Sequence, residues 1–278
     1  MNWLSIDEIL MNAINEDALY GDITTSSIVD KNSKSSVDLI AKEDGIIAGL
    51  DVFRRVFELL GDVEVKTYVN DGDKITMSQV IGKLKGSTYN ILVGERLALN
   101  LIQRLSGIAT TTSNLVEIVK ETKAKVLDTR KTTPNLRILE KYAVKVGGGS
   151  NHRYSLSDGV LIKDNHISAA GSIKCAVEKV RAQVSFVRKI EVETETLEQV
   201  QEALAVGADI IMLDNMSTSM MKQAVELIGG RALTEASGNV NHLNIKEIAD
   251  TGVDYISIGM LTHSVLSLDI SMKNLIIE

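Results

Sequence analysis

The sequence predicts a two-part α/β chain whose C-terminal part is an α/β barrel. From Lys125 onward, short apolar runs alternate with amphipathic helical segments. The last four runs begin about 22 residues apart, a spacing that suits parallel strands joined by right-handed helical crossovers. Almost every run ends in a polar residue with functional character, as barrel strands do at their C-terminal rim. An open doubly wound sheet fits the same alternation, but the chain has no glycine-rich dinucleotide fingerprint, and the barrel is favoured with six visible strands.

The first 30 residues place Ile6, Ile9, Leu10, Ala13 and Ile14 on one side, with Asp7, Glu8 and Glu16 elsewhere, which reads as an amphipathic helix. Residues 36–88 carry β-like runs at 37–41, 46–48, 63–69 and 80–84, with Asn70-Asp-Gly-Asp as the clearest turn. Residues 90–121 are strongly helical and too apolar for a linker, so the domain transition falls inside them. Beyond it the candidate strands are 126–128, 160–163, 188–193, 210–214, 232–235 and 255–259. The helix beginning at Leu197 ends at Gly207, as a helix C-terminus should.

Composition sets the class. The 278 residues are 44% hydrophobic and 24% charged, enough for a real core. Thirty Lys and Arg against 37 Asp and Glu leave a net charge of −7, which argues against a general electrostatic grip on nucleic acid or on an anionic membrane. No apolar stretch reaches the roughly 18–20 residues of a membrane span, and the first residues lack the basic and apolar regions of an export signal. The lone Cys175 excludes an internal disulfide framework and a cysteine metal cluster, so the cytoplasm is the expected compartment.

Candidate chemistry lies at the strand ends: Asp128 with Arg130 and Lys131, Lys163 with Asp164, Glu191 and Glu193, Asp214 with Asn215, Glu235 with Ser237, and Gly259. Singly, each reads as a solvated loop residue or a helix cap. Together, on one barrel rim, they read as a site. Between Asp128 and His166 there are seven Lys and Arg against four Asp and Glu, a basic island in an acidic chain and a pocket for a multiply charged small anion. Within it Lys141 and Lys145, four apart on a helix, are expected to face water. Two glycine-containing turns could cradle a phosphate, Gly147-Gly-Gly-Ser-Asn-His-Arg and Ser237-Gly-Asn, and the second is better placed. His152, His166, His242 and His263 show no metal-ligand spacing, so no zinc site is expected; His152 beside Arg153 is a fair anion contact.

Three segments, Asp128-Thr-Arg-Lys-Thr-Thr-Pro-Asn-Leu-Arg, Lys145-Val-Gly-Gly-Gly-Ser-Asn-His-Arg-Tyr-Ser-Leu-Ser-Asp and Leu161-Ile-Lys-Asp-Asn-His, resemble the quinolinate phosphoribosyltransferase family. The likeness runs over the whole chain, through Gly21-Asp-Ile-Thr-Thr, Glu95-Arg-Leu-Ala-Leu-Asn, Gln103-Arg-Leu-Ser-Gly-Ile-Ala-Thr, Glu191-Val-Glu, Leu213-Asp-Asn-Met, Glu235-Ala-Ser-Gly-Asn and Ser257-Ile-Gly-Met-Leu-Thr-His. Where the family commonly has Pro-Gly, this chain has Pro134 and Asn135, and Asn also tolerates positive φ.

The resemblance implies an N-terminal α/β sandwich domain over 1–108, rejoined by 266–278, and an incomplete six- or seven-stranded α/β barrel over 109–265. It implies a homodimer, or a hexamer built of dimers, with active sites at the interface. The implied reaction converts quinolinate and phosphoribosyl pyrophosphate to nicotinate mononucleotide, pyrophosphate and carbon dioxide in de novo NAD biosynthesis. Mg²⁺ would be held mainly through phosphoribosyl pyrophosphate, with no dedicated protein metal site.

By the same pattern, Arg104 from a neighbouring subunit joins Thr129, Arg130, Lys131, His152, Arg153 and Lys163 around the dicarboxylate. Glu193 and Asp214 hold the ribose hydroxyls, and Ser237, Gly238, Asn239 and Gly259 surround the sugar phosphate; Lys131, Glu193 and Asp214 are the expected catalytic residues. The competing readings are a related transferase, either one acting on nicotinate or the paralogue associated with molybdate operons, and a catalytically silent anion-binding protein.

Overall fold

The computed structural model describes residues 2–278, which divide into two compact units. The first contains the residues up to Ser113 with Thr132–Gly148 and Ser264–Glu278; the second contains Asn114–Lys131 and Gly149–His263. In chain order the elements are α1 (Trp3–Ala18), α2 (Ile23–Ile28), β1 (Lys34–Ala41), β2 (Gly45–Ile46), α3 (Leu50–Leu60), β3 (Val63–Thr67), β4 (Lys74–Ile75), β5 (Val80–Ser87) and α4 (Thr88–Val119). There follow β6 (Lys125–Leu127), α5 (Arg137–Val146), β7 (Val160–Ile162), α6 (Asp164–Ala170), α7 (Ile173–Gln183), β8 (Ile190–Thr194) and α8 (Leu197–Ala205). The last are β9 (Ile210–Asp214), α9 (Thr218–Ile228), β10 (Leu233–Ser237), α10 (Ile245–Ala249), β11 (Tyr255–Ser257), α11 (Met260–His263) and β12 (Ile270–Ile277).

The first unit is built on an antiparallel sheet of order β12-β1-β5-β3. Its C-terminal strand runs the length of β1, from Ser35 opposite Ile277 to Ala41 opposite Ile270. Val37, Leu39 and Ala41 alternate onto a buried face of β1, and α3 buries Val52, Phe53, Val56 and Phe57. Asp71 in the predicted turn accepts from the backbone N–H groups of Gly49 and Leu50 and so fixes the entry to α3.

Several expectations for this unit are revised. The first 30 residues form two helices, because Gly21 takes φ +83° and Asp22 caps α2 by accepting from Thr24 and Thr25. The stretch 36–88 is not only β: α3 lies within it, its apolar pairs 52/53 and 56/57 repeating at helical spacing. Lys141 does not face water. It is 1% exposed, because α5 is packed on more than one side and buries Leu139, Glu140, Ala143 and Val144 as well, whereas Lys145 is exposed.

Segment 132–148 also belongs to the first unit. Tyr142 donates to Asp71 at 2.6 Å, and a Cβ on Gly147 would stand 2.4 Å from the Ala109 carbonyl, so the backbones meet there. Asn135 does take positive φ, at +67°.

The second unit has six parallel strands in the order β6-β11-β10-β9-β8-β7. This is sequence order taken around a circle and interrupted once, between β6 and β7. Beside that opening Ser150 bridges in parallel to Leu127, its N–H donating to Val126 O at 2.8 Å and its carbonyl accepting from Asp128 N at 3.2 Å. The barrel is therefore incomplete, with residue 150 partly lining the seam. Ser172, Thr196 and Ser217 cap α7, α8 and α9, and the left-handed Gly171, Gly207 and Gly229 follow α6, α8 and α9, as the sequence predicted for Gly207. Among the described residues no helix is long and apolar enough to cross a membrane.

Candidate active site

Side chains alternate along a strand, so each barrel strand sends one register inward. Glu191 and Glu193 on β8, Met212 and Asp214 on β9, Glu235 and Ser237 on β10, and Ser257 on β11 point this way and line the barrel's cavities. One cavity of about 740 Å³ lies at the C-terminal ends of the strands. Arg130, Lys131, Arg153 and Lys163 bring its cations, Thr129 and His152 lie among them, and Glu193 and Asp214 bring carboxylates. Ser237, Gly238, Asn239 and Gly259 complete the set predicted from sequence. Arg104 is the exception: it sits in the first unit, where its Nε donates to Glu140 at 2.8 Å and a terminal nitrogen donates to Thr133 at 2.8 Å.

Local structure explains the placing of these groups. Lys163 follows β7 and extends to Glu193 on the neighbouring strand, Nζ to Oε2 at 2.5 Å. Lys131 is held by its backbone, donating to Thr129 Oγ1 at 3.0 Å and accepting from Thr262 Oγ1 at 2.8 Å. Its stem crosses Gly259, where a Cβ would lie 3.0 Å from Lys131 Cδ. Arg153 donates to Gly159 O at 2.9 Å. Burial first and Arg130 second press its guanidinium below the ordinary value, which marks cations gathered without enough negative charge among them.

Both glycine-containing turns reach the cavity, the first only at its end, through His152 and Arg153, and the second through Ser237, Gly238 and Asn239. Gly238 takes φ +97°, and a Cβ there would lie 2.2 Å from Asn215 Oδ1. Asn215, itself at φ +53°, donates to Asp214 Oδ2 at 2.6 Å and accepts from Asn239 Nδ2 at 3.1 Å, so it ties the acidic strand end to this turn. Asn215, named from sequence among the strand-end candidates, lines the cavity, and Asn241 and His263 are cavity residues that the predicted site did not include. For His263 the only hint was its place in the last quoted motif.

His152 lies 3.0 Å from Glu191 Oε2 and 3.4 Å from Glu235 Oε2 through Nε2, while Nδ1 accepts from the Arg153 N–H at 2.8 Å. Both ring nitrogens are thus engaged by protein groups, which changes its expected part as a direct anion contact. Burial presses the imidazole down and the two carboxylates raise it, while burial raises Glu191. These three groups fall within metal-ligand spacing of one another, a constellation invisible in the linear sequence. With Nδ1 accepting, however, Nε2 carries the hydrogen and has no lone pair for a metal.

Residues 108–273 match the quinolinate phosphoribosyl transferase C-terminal domain, and residues 22–106 match the N-terminal domain. The chain is 46% identical to the Bacillus subtilis probable nicotinate-nucleotide pyrophosphorylase [carboxylating], over 98% of this chain and 94% of that one. It is 45% identical to a Nicotiana glauca mitochondrial quinolinate phosphoribosyltransferase [decarboxylating], over 96% and 82%. The crystal structure of NadC from Streptococcus pyogenes superposes with a TM-score of 0.96 at 47% identity, covering 100% of this chain and 99% of the other.

Proposed function

The chain belongs to the quinolinate phosphoribosyl transferase family, and from that premise we infer that it converts quinolinate and phosphoribosyl pyrophosphate to nicotinate mononucleotide, pyrophosphate and carbon dioxide, a step of de novo NAD biosynthesis. The observation that carries the reading is one cavity holding Arg130, Lys131, Arg153 and Lys163 together with Glu193 and Asp214. A pyridine dicarboxylate dianion has to approach a strongly negative sugar phosphate, and fixed cations offset that repulsion before any bond forms.

Arg130, Arg153 and Lys163, with Thr129 beside them, bind the two carboxylates; Lys131 stands where the two substrates meet. The pyridine nitrogen attacks the anomeric carbon as the bond to pyrophosphate breaks. Glu193 and Asp214 hold the ribose hydroxyls and stabilise the positive charge that develops on the ring. Ser237, Gly238, Asn239 and Gly259 receive the sugar phosphate. The alkylated nitrogen then accepts electron density as the bond from C2 to its carboxylate breaks; carbon dioxide leaves and C2 takes up a proton.

Mg²⁺, held mainly through phosphoribosyl pyrophosphate beside Glu193 and Asp214, would supply positive charge to offset the negative charge of the leaving pyrophosphate. Glu193 is engaged by Lys163 and Asp214 by Asn215, which suits a hard cation that takes most of its oxygens from diphosphate and water.

The protein works in the cytoplasm as a homodimer, or as a hexamer of dimers, in which Arg104 of one subunit reaches its neighbour's cavity. The apolar side chains Leu4, Leu19, Tyr20, Ile23 and Ile28, each more than half exposed, support a covering partner. No nucleic acid or membrane takes part. The test is product release from protein, Mg²⁺, phosphoribosyl pyrophosphate and quinolinate, with nicotinate in parallel. Equimolar carbon dioxide and pyrophosphate from quinolinate alone is expected; turnover of nicotinate alone would move the chain to a related transferase.

A further inference from the structure

Two buried carboxylates remain outside this account. Glu191 and Glu235 stand on β8 and β10, one inward step below Glu193 and Ser237, with side chains 4% and 2% exposed. Beneath a cavity for a dianion, bare negative charge is the wrong sign, and burial makes it costly. Glu191 Oε1 and Glu235 Oε1 are moreover buried without a hydrogen-bond partner, so each acid is kept for what its other oxygen does.

That oxygen, in both, faces His152 Nε2. His152 comes from the segment beside the barrel's open seam, where a closed barrel would continue its apolar filling. Asp128 secures the segment, accepting from His152 N at 2.9 Å and from Asn151 Nδ2 at 2.5 Å. The ring's other nitrogen accepts the Arg153 N–H, and the Arg153 guanidinium is fixed onward to Gly159 O. The charged groups around the ring are therefore Glu191 from β8, Glu235 from β10 and Arg153 next in the chain, with Arg130 facing Arg153.

We propose that Glu191 and Glu235 are positioning residues for the quinolinate end of the site, acting through His152 on Arg153. They select the Nε2–H form of the imidazole, that form presents Nδ1 to the Arg153 backbone, and the backbone sets where the guanidinium meets a substrate carboxylate. The proposal rests on the assigned reaction, since it concerns which substrate the cluster serves.

The test uses the full chain with Glu191→Gln and, separately, Glu235→Gln, both near-isosteric. Two quantities are measured: KM for each substrate, and the imidazole ¹⁵N shifts at one pH, with the His152 signal assigned through His152→Gln. His166 Nδ1 also accepts a backbone N–H, from Lys163 at 2.9 Å, so of the fixed Nε2–H signatures that of His152 is the one lost in His152→Gln. In the variants the expected result is a KM for quinolinate raised about tenfold, a nearly unchanged KM for phosphoribosyl pyrophosphate, and a His152 signal moving towards the averaged pattern of an imidazole that exchanges tautomers.

An unchanged His152 signature with unchanged KM for quinolinate would overturn the proposal. So would both KM values rising together alongside a lower thermal midpoint, the mark of a merely structural role. Should the unsubstituted protein fail to turn over quinolinate, the assigned reaction falls, and the cluster is judged on the spectrum: loss of the signature in either variant supports the linkage to His152, and its persistence in both overturns it.

Discussion

Lys163 Nζ lies 2.5 Å from Glu193 Oε2, a pair joining the end of β7 to the inward face of β8 at the cavity wall. The lysine side chain is 45% exposed and the glutamate 9%, so the lysine can turn to a substrate carboxylate while the glutamate remains where it is. The two charges neutralise each other at the cavity wall.

Replacing Lys163 by Met should therefore damage activity more than folding. The expected loss in kcat/KM for quinolinate is on the order of 3 kcal/mol, about two decades. Steady-state kinetics with a parallel thermal melt checks this; a collapse of stability with intact activity per folded molecule would contradict it.

Gly238→Ala should act on the other substrate. The new Cβ meets Asn215 Oδ1 at 2.2 Å in a residue already at φ +97°, so the turn has to move and the contact between Asn215 and Asn239 opens. Backbone strain of this kind costs roughly 1–3 kcal/mol. A higher KM for phosphoribosyl pyrophosphate, with KM for quinolinate little altered, is the expected outcome.

Gly259→Ala should separate the position of Lys131 from its presence. The added methyl would stand 3.0 Å from Lys131 Cδ and 3.1 Å from the His263 ring, both side-chain atoms that can give way, so the protein should fold. Turnover should fall about tenfold with Lys131 in place but displaced. Full activity would show that the path of the lysine over Gly259 is immaterial.

The sequence by itself determined the alternation of strands and helices, the net charge and its basic island, and the strand-end residues that line the cavity, because periodicity, turn chemistry and strand polarity are local properties. It also carried the family motifs. Tertiary structure decided what local pattern cannot reach. The inward register carries Thr129 to the cavity while Asp128, its neighbour, turns to the seam and binds Asn151 and His152. Lys141 and Lys145 share a helical spacing, yet one is buried and the other exposed, since packing and not period sets how much of a short helix is covered. Glu191, Glu235 and His152 meet only because the strand circle opens between β6 and β7 and lets the segment after residue 150 enter it. Where a barrel is left open is a property of the whole ring of strands, and no single strand encodes it.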